Sequence, residues 1–246
     1  MFFVCSTLRA YLVGFSSVRK CSHLYNGFPS AEQLLSSDSI HNCIKNLKEV
    51  KVRQRELTDD NKKKAAVLIP LCLVDNEMSL LYTLRTSDLK RHRGQVSFPG
   101  GMEDSEDKCL EETALRETEE EIGIDRKNIS LWGAGNIYVG KEFSVLPVVG
   151  FLGDVHPSAL KVNPGEVELA FAVALKHFCY PDNRKFTQFR FKKSGYILPA
   201  YVNTEYRIWG ITALITHIVL SALLPKHYNF KIHYIRPIKG EMKASS

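Results

Sequence analysis

The clearest pattern in the chain is a set of apolar runs of strand length separated by turn-forming residues. Residues 65–74 (AAVLIPLCLV) form one such run, and Asp75 and Asn76 end it. Residues 78–86 (MSLLYTLRT) form the next, so the DNE between them predicts a hairpin turn. A polar loop over 87–95 leads into VSFPGG at 96–101, and apolar positions at helical spacing then predict a helix over about 106–122. Residues 129–139 and 143–153 read as two further strands. Residues 167–178 read as a strand running into a short turn or helix, and 181–203 as a hairpin. A closing helix is expected over 206–224. Its apolar stretch, 211–224, is fourteen residues long and interrupted by Thr212, Thr216 and His217, too short to span a bilayer. Mixed strands with two substantial helices predict an α/β layered sandwich with a mixed sheet.

The flanks have a different character. Residues 1–30 hold Arg9, Arg19 and Lys20 but no acid, and are rich in Ser and large apolar residues. That is the composition of a mitochondrial transit peptide, and it predicts location in the matrix. A secretory signal would want a basic start and an unbroken apolar core, which Arg9 interrupts. Residues 31–64 read as a charged helical arm or linker, with an almost wholly polar run at 51–64. The domain proper is expected at 65–225, followed by a weakly patterned tail at 226–246.

Composition narrows the function classes. Apolar content of 44% and charged content of 24% suit a globular chain and argue against overall disorder. A net charge of +6 favours an anionic ligand but calls for no nucleic-acid partner. The six cysteines include no CxxC pair and lack zinc-finger spacing, so they are expected as free thiols in a reducing compartment. Oligomeric state has no signature here.

The chemistry gathers at 100–124. At about 100° per residue, Glu117, Glu120 and Glu121 fall within an arc of roughly 100°. Ala114, Leu115, Thr118 and Ile122 fill the neighbouring, core-facing arc. Taken alone, ETEEE reads as a solvated acidic face. Like charges one helical turn apart repel, more so near a dry core, and a divalent cation removes that repulsion. Carboxylate oxygens suit Mg²⁺ or Mn²⁺, which also bind phosphates. Gly100 and Gly101 allow close backbone approach, Asp104, Glu106 and Asp107 stand where they can cap the helix start, and Gly123 suits its end. Arg116 has carboxylates within reach.

The segment GGMEDSEDKCLEETALRETEEEIGI, 100–124, resembles the Nudix signature: a glycine, a spaced acid, then R-E-U-x-E-E-x-G-U with U apolar. Thr118 departs at the first U, the spaced acid is Asp107 rather than Glu, and the glycine-to-arginine spacing is one residue longer. That longer spacing, with Asp, is a feature of the coenzyme A diphosphatase branch. Upstream, LYTLRTSDLKRHRGQVSFPGG, 81–101, is similar to that branch's second motif. Leu81, Thr83, Arg85, Gly94, Phe98, Pro99, Gly100 and Gly101 match it, while Tyr82, Thr86 and Lys90 depart. The resemblance covers about 65–225 and is closest to the branch's mitochondrial form.

It implies a Nudix-type α/β/α sandwich and metal-dependent cleavage of the pyrophosphate of coenzyme A or acyl-coenzyme A. The products would be 3′,5′-ADP and 4′-phosphopantetheine or its acyl form. Expected metal ligands are Glu117, Glu121, Glu120 and the Gly101 carbonyl. One of the helix glutamates or Glu166 would accept a proton, and Arg116 would serve in catalysis. Arg85, Arg91, His92, Arg93 and Gly100 would bind substrate, guanidinium groups suiting phosphate. Two alternatives stand beside this reading. One is a Nudix hydrolase of ADP-ribose, NADH or a cap-like nucleotide. The other is a non-catalytic Nudix-fold binding module, against which the intact glutamates speak.

Overall fold

The computed structural model describes residues 27–50, 63–87, 94–139, 143–191 and 194–232. Residues 1–26 of the expected transit peptide, residues 51–62 of the polar run, and Arg91, His92 and Arg93 lie outside the described residues.

The central strands are β1 (Lys63–Val74) and β2 (Glu77–Arg85), joined at Asp75 and Asn76. Both turn residues have positive φ, 50° and 62°, which a two-residue hairpin needs and Asp and Asn tolerate. β2 and β1 pair through Val74↔Glu77 to Leu71↔Leu80 and then diverge. Two short strands fill the gap: β3 (Val96–Ser97) pairs with β2, and β4 (Gly100–Met102) pairs with Ala65–Val67 of β1.

α3 (Leu110–Ile122) follows. It starts four residues later than the pattern predicts. Asp104 and Asp107 close a tight turn on each other's amides, and Cys109 is extended, giving no side-chain cap. Gly123 ends the helix with φ 72°, its amide donating to the Glu119 carbonyl at 3.0 Å.

The predicted strand 129–139 is two strands, β5 (Ser130–Ala134) and β6 (Tyr138–Val139). Both pair with β7 (Phe143–Asp154). The break at Gly135 is held by its amide donating to the Pro147 carbonyl at 2.9 Å. β7 runs parallel to β1 while the other pairs in this sheet are antiparallel, so the sheet is mixed, as expected. β8 (Val167–Ala174) lines β2, the short α4 (Leu175–Cys179) follows, and β9 (Arg184–Phe191) with β10 (Ser194–Tyr201) forms a separate hairpin.

The last helix, α5 (Gly210–Leu223), starts four residues later than predicted because Ile208 is bound in a bridge to Tyr201. It is a buried core helix, as its composition predicts. No helix among the described residues is long and apolar enough to cross a membrane.

Both sheet faces are covered, which is why β1 reads as an unbroken apolar run. On one face Leu68, Leu81 and Val148 pack with Ala114 and Ile122 of α3. On the other, Ile69, Tyr82 and Phe171 pack with Leu47, Phe178, Tyr201 and Val219. The architecture is an α/β/α sandwich. The segment expected as a helical arm holds α1 (Ala31–Leu34) and α2 (Ser37–Glu49). α2 buries Cys43 and Leu47 in the core, and Asn46 donates to the Ala222 carbonyl of α5 at 3.1 Å.

Candidate active site

Three carboxylates converge at the C-terminal half of α3. Oxygens of Glu117, Glu121 and Glu166 all lie within 4.8 Å of one another. Glu117 and Glu121 share a helix face one turn apart. Glu166 arrives from the loop before β8, which two backbone bonds hold in place. Asn163 N donates to the Glu121 carbonyl at 2.9 Å, and Thr86 N donates to that of Glu166 at 3.0 Å.

The glycine pair sets the approach of β4 to the helix. A Cβ on Gly101 would stand 2.5 Å from Glu117 Oε1, so only glycine lets the strand lie against that carboxylate. Gly100 has φ 151°, and a Cβ there would meet the Ala66 carbonyl oxygen at 2.3 Å. Its amide donates to Glu121. Gly100 was expected at the substrate; in the structure it supports a buried acid and the strand pairing.

Glu121 is only 1% exposed, and its Oε2 has no hydrogen-bond partner. Burial pushes its pKa up to about 8. Arg85 pulls against that shift, Glu166 and Glu117 add to it, and the Gly100 amide opposes it. Burial also raises Glu117, with Arg116 opposing. An orphaned buried carboxylate oxygen among like charges is costly for a fold without a ligand. The donor set is all oxygen, as Mg²⁺ or Mn²⁺ requires. The site therefore fits a divalent cation.

Glu120, expected among the ligands, is not one of the three converging acids. Its side chain is 54% exposed, and Arg116 Nη1 holds Glu120 Oε2 at 3.3 Å. Glu166, expected as a proton acceptor, occupies the third place. Arg116 is a positioning residue. Its Nε and Nη2 donate to Asp107 Oδ1 and Oδ2, each at 2.9 Å, and its Nη1 donates to Glu117 Oε1 at 2.9 Å. Nη2 also donates to the Met102 carbonyl at 3.2 Å, tying β4 to the helix. Thr113 Oγ1 donates to Asp107 Oδ2 at 2.8 Å. The Arg116 guanidinium holds the Asp107 carboxyl well below the usual carboxylate range. The sequence suggested Asp107 as a helix cap; its closeness to Arg116 requires the turn at 104–107, and Thr113 carried no signal. Arg85, at the end of β2, reaches Glu121 Oε1 through Nη1 at 3.5 Å, with its side chain 25% exposed.

This geometry sits where a known pattern falls. The NUDIX domain pattern matches residues 62–192. The chain belongs to the Nudix family. It is 40% identical over 167 residues to the mitochondrial coenzyme A diphosphatase NUDT8 of Mus musculus, covering 67% of this chain and 80% of that protein. Identity to the Homo sapiens protein of the same name is 42% over 167 residues, covering 67% and 71%. Nudix hydrolase 3 of Caenorhabditis elegans is 32% identical over 234 residues, covering 87% of this chain and 92% of that one. A solved C. elegans Ap4A hydrolase binary complex aligns with 46% of this chain and 81% of its own at 19% identity, with a TM-score of 0.38. The chain is a Nudix hydrolase, and Glu117, Glu121 and Glu166 all fall within the matched residues.

Proposed function

We propose that this Nudix hydrolase cleaves the pyrophosphate bond of coenzyme A or its acyl derivatives in mitochondria. The products are 3′,5′-ADP and 4′-phosphopantetheine or its acyl form. The observation that carries the reaction type is the convergence of Glu117, Glu121 and Glu166 around an unpartnered carboxylate oxygen. The substrate class and location rest on the motif at 81–101 and on the two relatives named as mitochondrial coenzyme A diphosphatases.

Glu117, Glu121 and Glu166 would hold Mg²⁺ or Mn²⁺, and the Gly101 carbonyl would be a further oxygen ligand. A divalent cation there neutralises phosphate charge and acidifies water. Arg116 fixes the Glu117 carboxylate so that it needs no reorganisation when substrate arrives. Among the described residues Arg85 spends one of its five donors, on Glu121, which leaves a fork for a phosphate oxygen. Glu166, whose carboxylate lies within 4.8 Å of those of Glu117 and Glu121, would accept the proton of the attacking water through an oxygen it does not lend to the cation. Glu120 and Glu121 are the other acids able to take that proton. Arg91, His92 and Arg93 would add hydrogen-bond donors for the pyrophosphate, the two arginines with charge.

The test is a substrate panel. Purified protein with Mg²⁺ or Mn²⁺ is incubated with coenzyme A, an acyl-coenzyme A, oxidised coenzyme A, ADP-ribose, NADH and a cap-like dinucleotide, with products read by mass spectrometry. The coenzyme A compounds should turn over fastest. Faster turnover of ADP-ribose overturns the substrate assignment, and no turnover of any of them overturns the enzymatic one.

A further inference from the structure

A pair of aromatic rings outside the acid cluster has no part in the chemistry above. The rings of Phe189 and Trp209 have centroids 6.4 Å apart and lie within 15° of parallel. Trp209 is 37% exposed, and Ile211 beside it is 45% exposed. The chain puts the indole there by local geometry. Trp209 is extended at φ −149° and Gly210 turns with φ 69°, so the helix begins immediately after a surface tryptophan. Large exposed apolar groups placed together mark a binding surface more often than a chance exposure.

The surroundings say what would bind. Side chains alternate along a strand, so Lys185, Thr187 and Phe189 share one face of β9. Arg207 Nη2 donates to Thr187 Oγ1 at 3.0 Å, and Trp209, two residues on, meets Phe189. One face therefore has a cationic end, Lys185 and Arg207, both exposed, and an aromatic end. The first turn of α5 carries no acid. An aromatic platform beside cations suits a ligand with a planar ring and phosphate, which describes a nucleotide rather than an aliphatic chain.

The platform is also connected to the acids. Thr212 Oγ1 of α5 donates to the Val96 carbonyl at 2.9 Å. The adjacent Gln95 carbonyl accepts from Arg85 N at 3.0 Å, and Arg85 reaches Glu121. Three contacts across the ends of β2 and β3 link the ring pair to the cluster.

We propose that Phe189 and Trp209 stack the adenine ring of the substrate, with Arg207 at its ribose phosphate. The proposal rests on the coenzyme A reading and names the part of the protein that holds the nucleotide half.

The chain has two tryptophans, so a Trp132→Phe protein reports on Trp209 alone. This protein, without metal, is titrated with 3′,5′-ADP and separately with 4′-phosphopantetheine while indole fluorescence is read. Saturable quenching by the bisphosphate, lost in Phe189→Leu, is expected. In steady state with coenzyme A, Trp209→Ala should raise KM about tenfold with kcat within about twofold, and Trp209→Tyr should restore most of the loss. Quenching by phosphopantetheine but not by the bisphosphate overturns the proposal, as does an unchanged KM in Trp209→Ala. If wild-type protein does not hydrolyse coenzyme A, the proposed function fails separately, because the bisphosphate titration needs no turnover and still decides what the rings bind.

Discussion

Asp107 grips Arg116 through two parallel hydrogen bonds of 2.9 Å, Nε to Oδ1 and Nη2 to Oδ2. The Asp107 side chain is 5% exposed, and Arg116 passes the constraint on through Nη1 to Glu117 Oε1. An acid ten residues before Glu117 thus sets that carboxylate's orientation. Asp107→Asn keeps the shape and removes the charge-assisted pairing. Supporting groups of this kind typically cost 10- to 100-fold when lost, so kcat should fall by about that factor. The apparent affinity for Mn²⁺ should weaken alongside it. Steady-state kinetics at several Mn²⁺ concentrations check both, and a wild-type Mn²⁺ dependence would remove Asp107 from this role.

Gly101→Ala tests the contact between β4 and the helix. The new methyl group would stand 2.5 Å from both Glu117 Oε1 and Glu117 Cδ, so the carboxylate must move. The position is only partly buried and the clash is with a side chain, so folding should survive. Activity should fall at least about tenfold, since a misplacement of about 1 Å costs up to about 100-fold. Circular dichroism with a turnover assay separates this from unfolding. Gly100→Ala is the contrast: its methyl would meet the Ala66 backbone at 2.3 Å, so it should lower the melting temperature as well.

Glu121→Gln should make the metal-free protein more stable while destroying its activity. The folded-state pKa of Glu121, about 8, lies above the ordinary value of 4.5. The folded state therefore binds a proton more readily than the unfolded state between these values, and stability is lost as pH rises through that window. The advantage of the glutamine variant should be absent near pH 4.5 and reach about 4 kcal/mol by pH 8. Added Mn²⁺ should raise the melting temperature of the wild-type protein and leave that of the variant nearly unchanged. Melting curves at pH 5 and pH 8, with and without Mn²⁺, read all of this. A variant less stable than wild type at pH 8 without metal would contradict it.

These cases show what the sequence made legible. The apolar runs of β1, β2 and β7 and the Asp75-Asn76 turn follow from local preference, and their packing agrees with it. The strand at Gly100–Met102 did not show, because its glycines read as a turn and its pairing with Ala65–Val67 is a tertiary event. The docking of α2 was equally hidden. Its only fully buried residues are Cys43 and Leu47, too few to distinguish a packed helix from an exposed arm. In the site, helical spacing put Glu117, Glu120 and Glu121 in one arc. It cannot say which two converge with Glu166, because that depends on where the loop at 163–166 and Arg116 come to rest. The ring pair of Phe189 and Trp209 joins residues twenty apart, and no local pattern relates them.

The last prediction concerns acid stability and lies away from the cluster. His217 Nδ1 is 2.9 Å from Tyr228 Oη, which is 2.6 Å from Tyr201 Oη; the two tyrosines are buried and the histidine is half-buried. A neutral His217 accepts from Tyr228, and Tyr228 in turn accepts from Tyr201. Protonating His217 at Nδ1 would turn an acceptor into a donor facing a donor. Burial accordingly lowers its pKa to about 4, against 6.5 for a free histidine. The unfolded state then takes up a proton that the folded state refuses, so this stability is complete above about pH 6.5 and drains away as pH falls toward 4. About 2 kcal/mol of it should be gone by pH 5. Glu121 acts in the opposite direction over the same range, so the wild-type curve alone shows only the sum. The difference between wild type and His217→Gln isolates the histidine: the variant should lose less stability between pH 7 and pH 5 in urea denaturation. Parallel curves would mean that the imidazole titrates freely and that the chain from Tyr201 through Tyr228 does not hold it neutral.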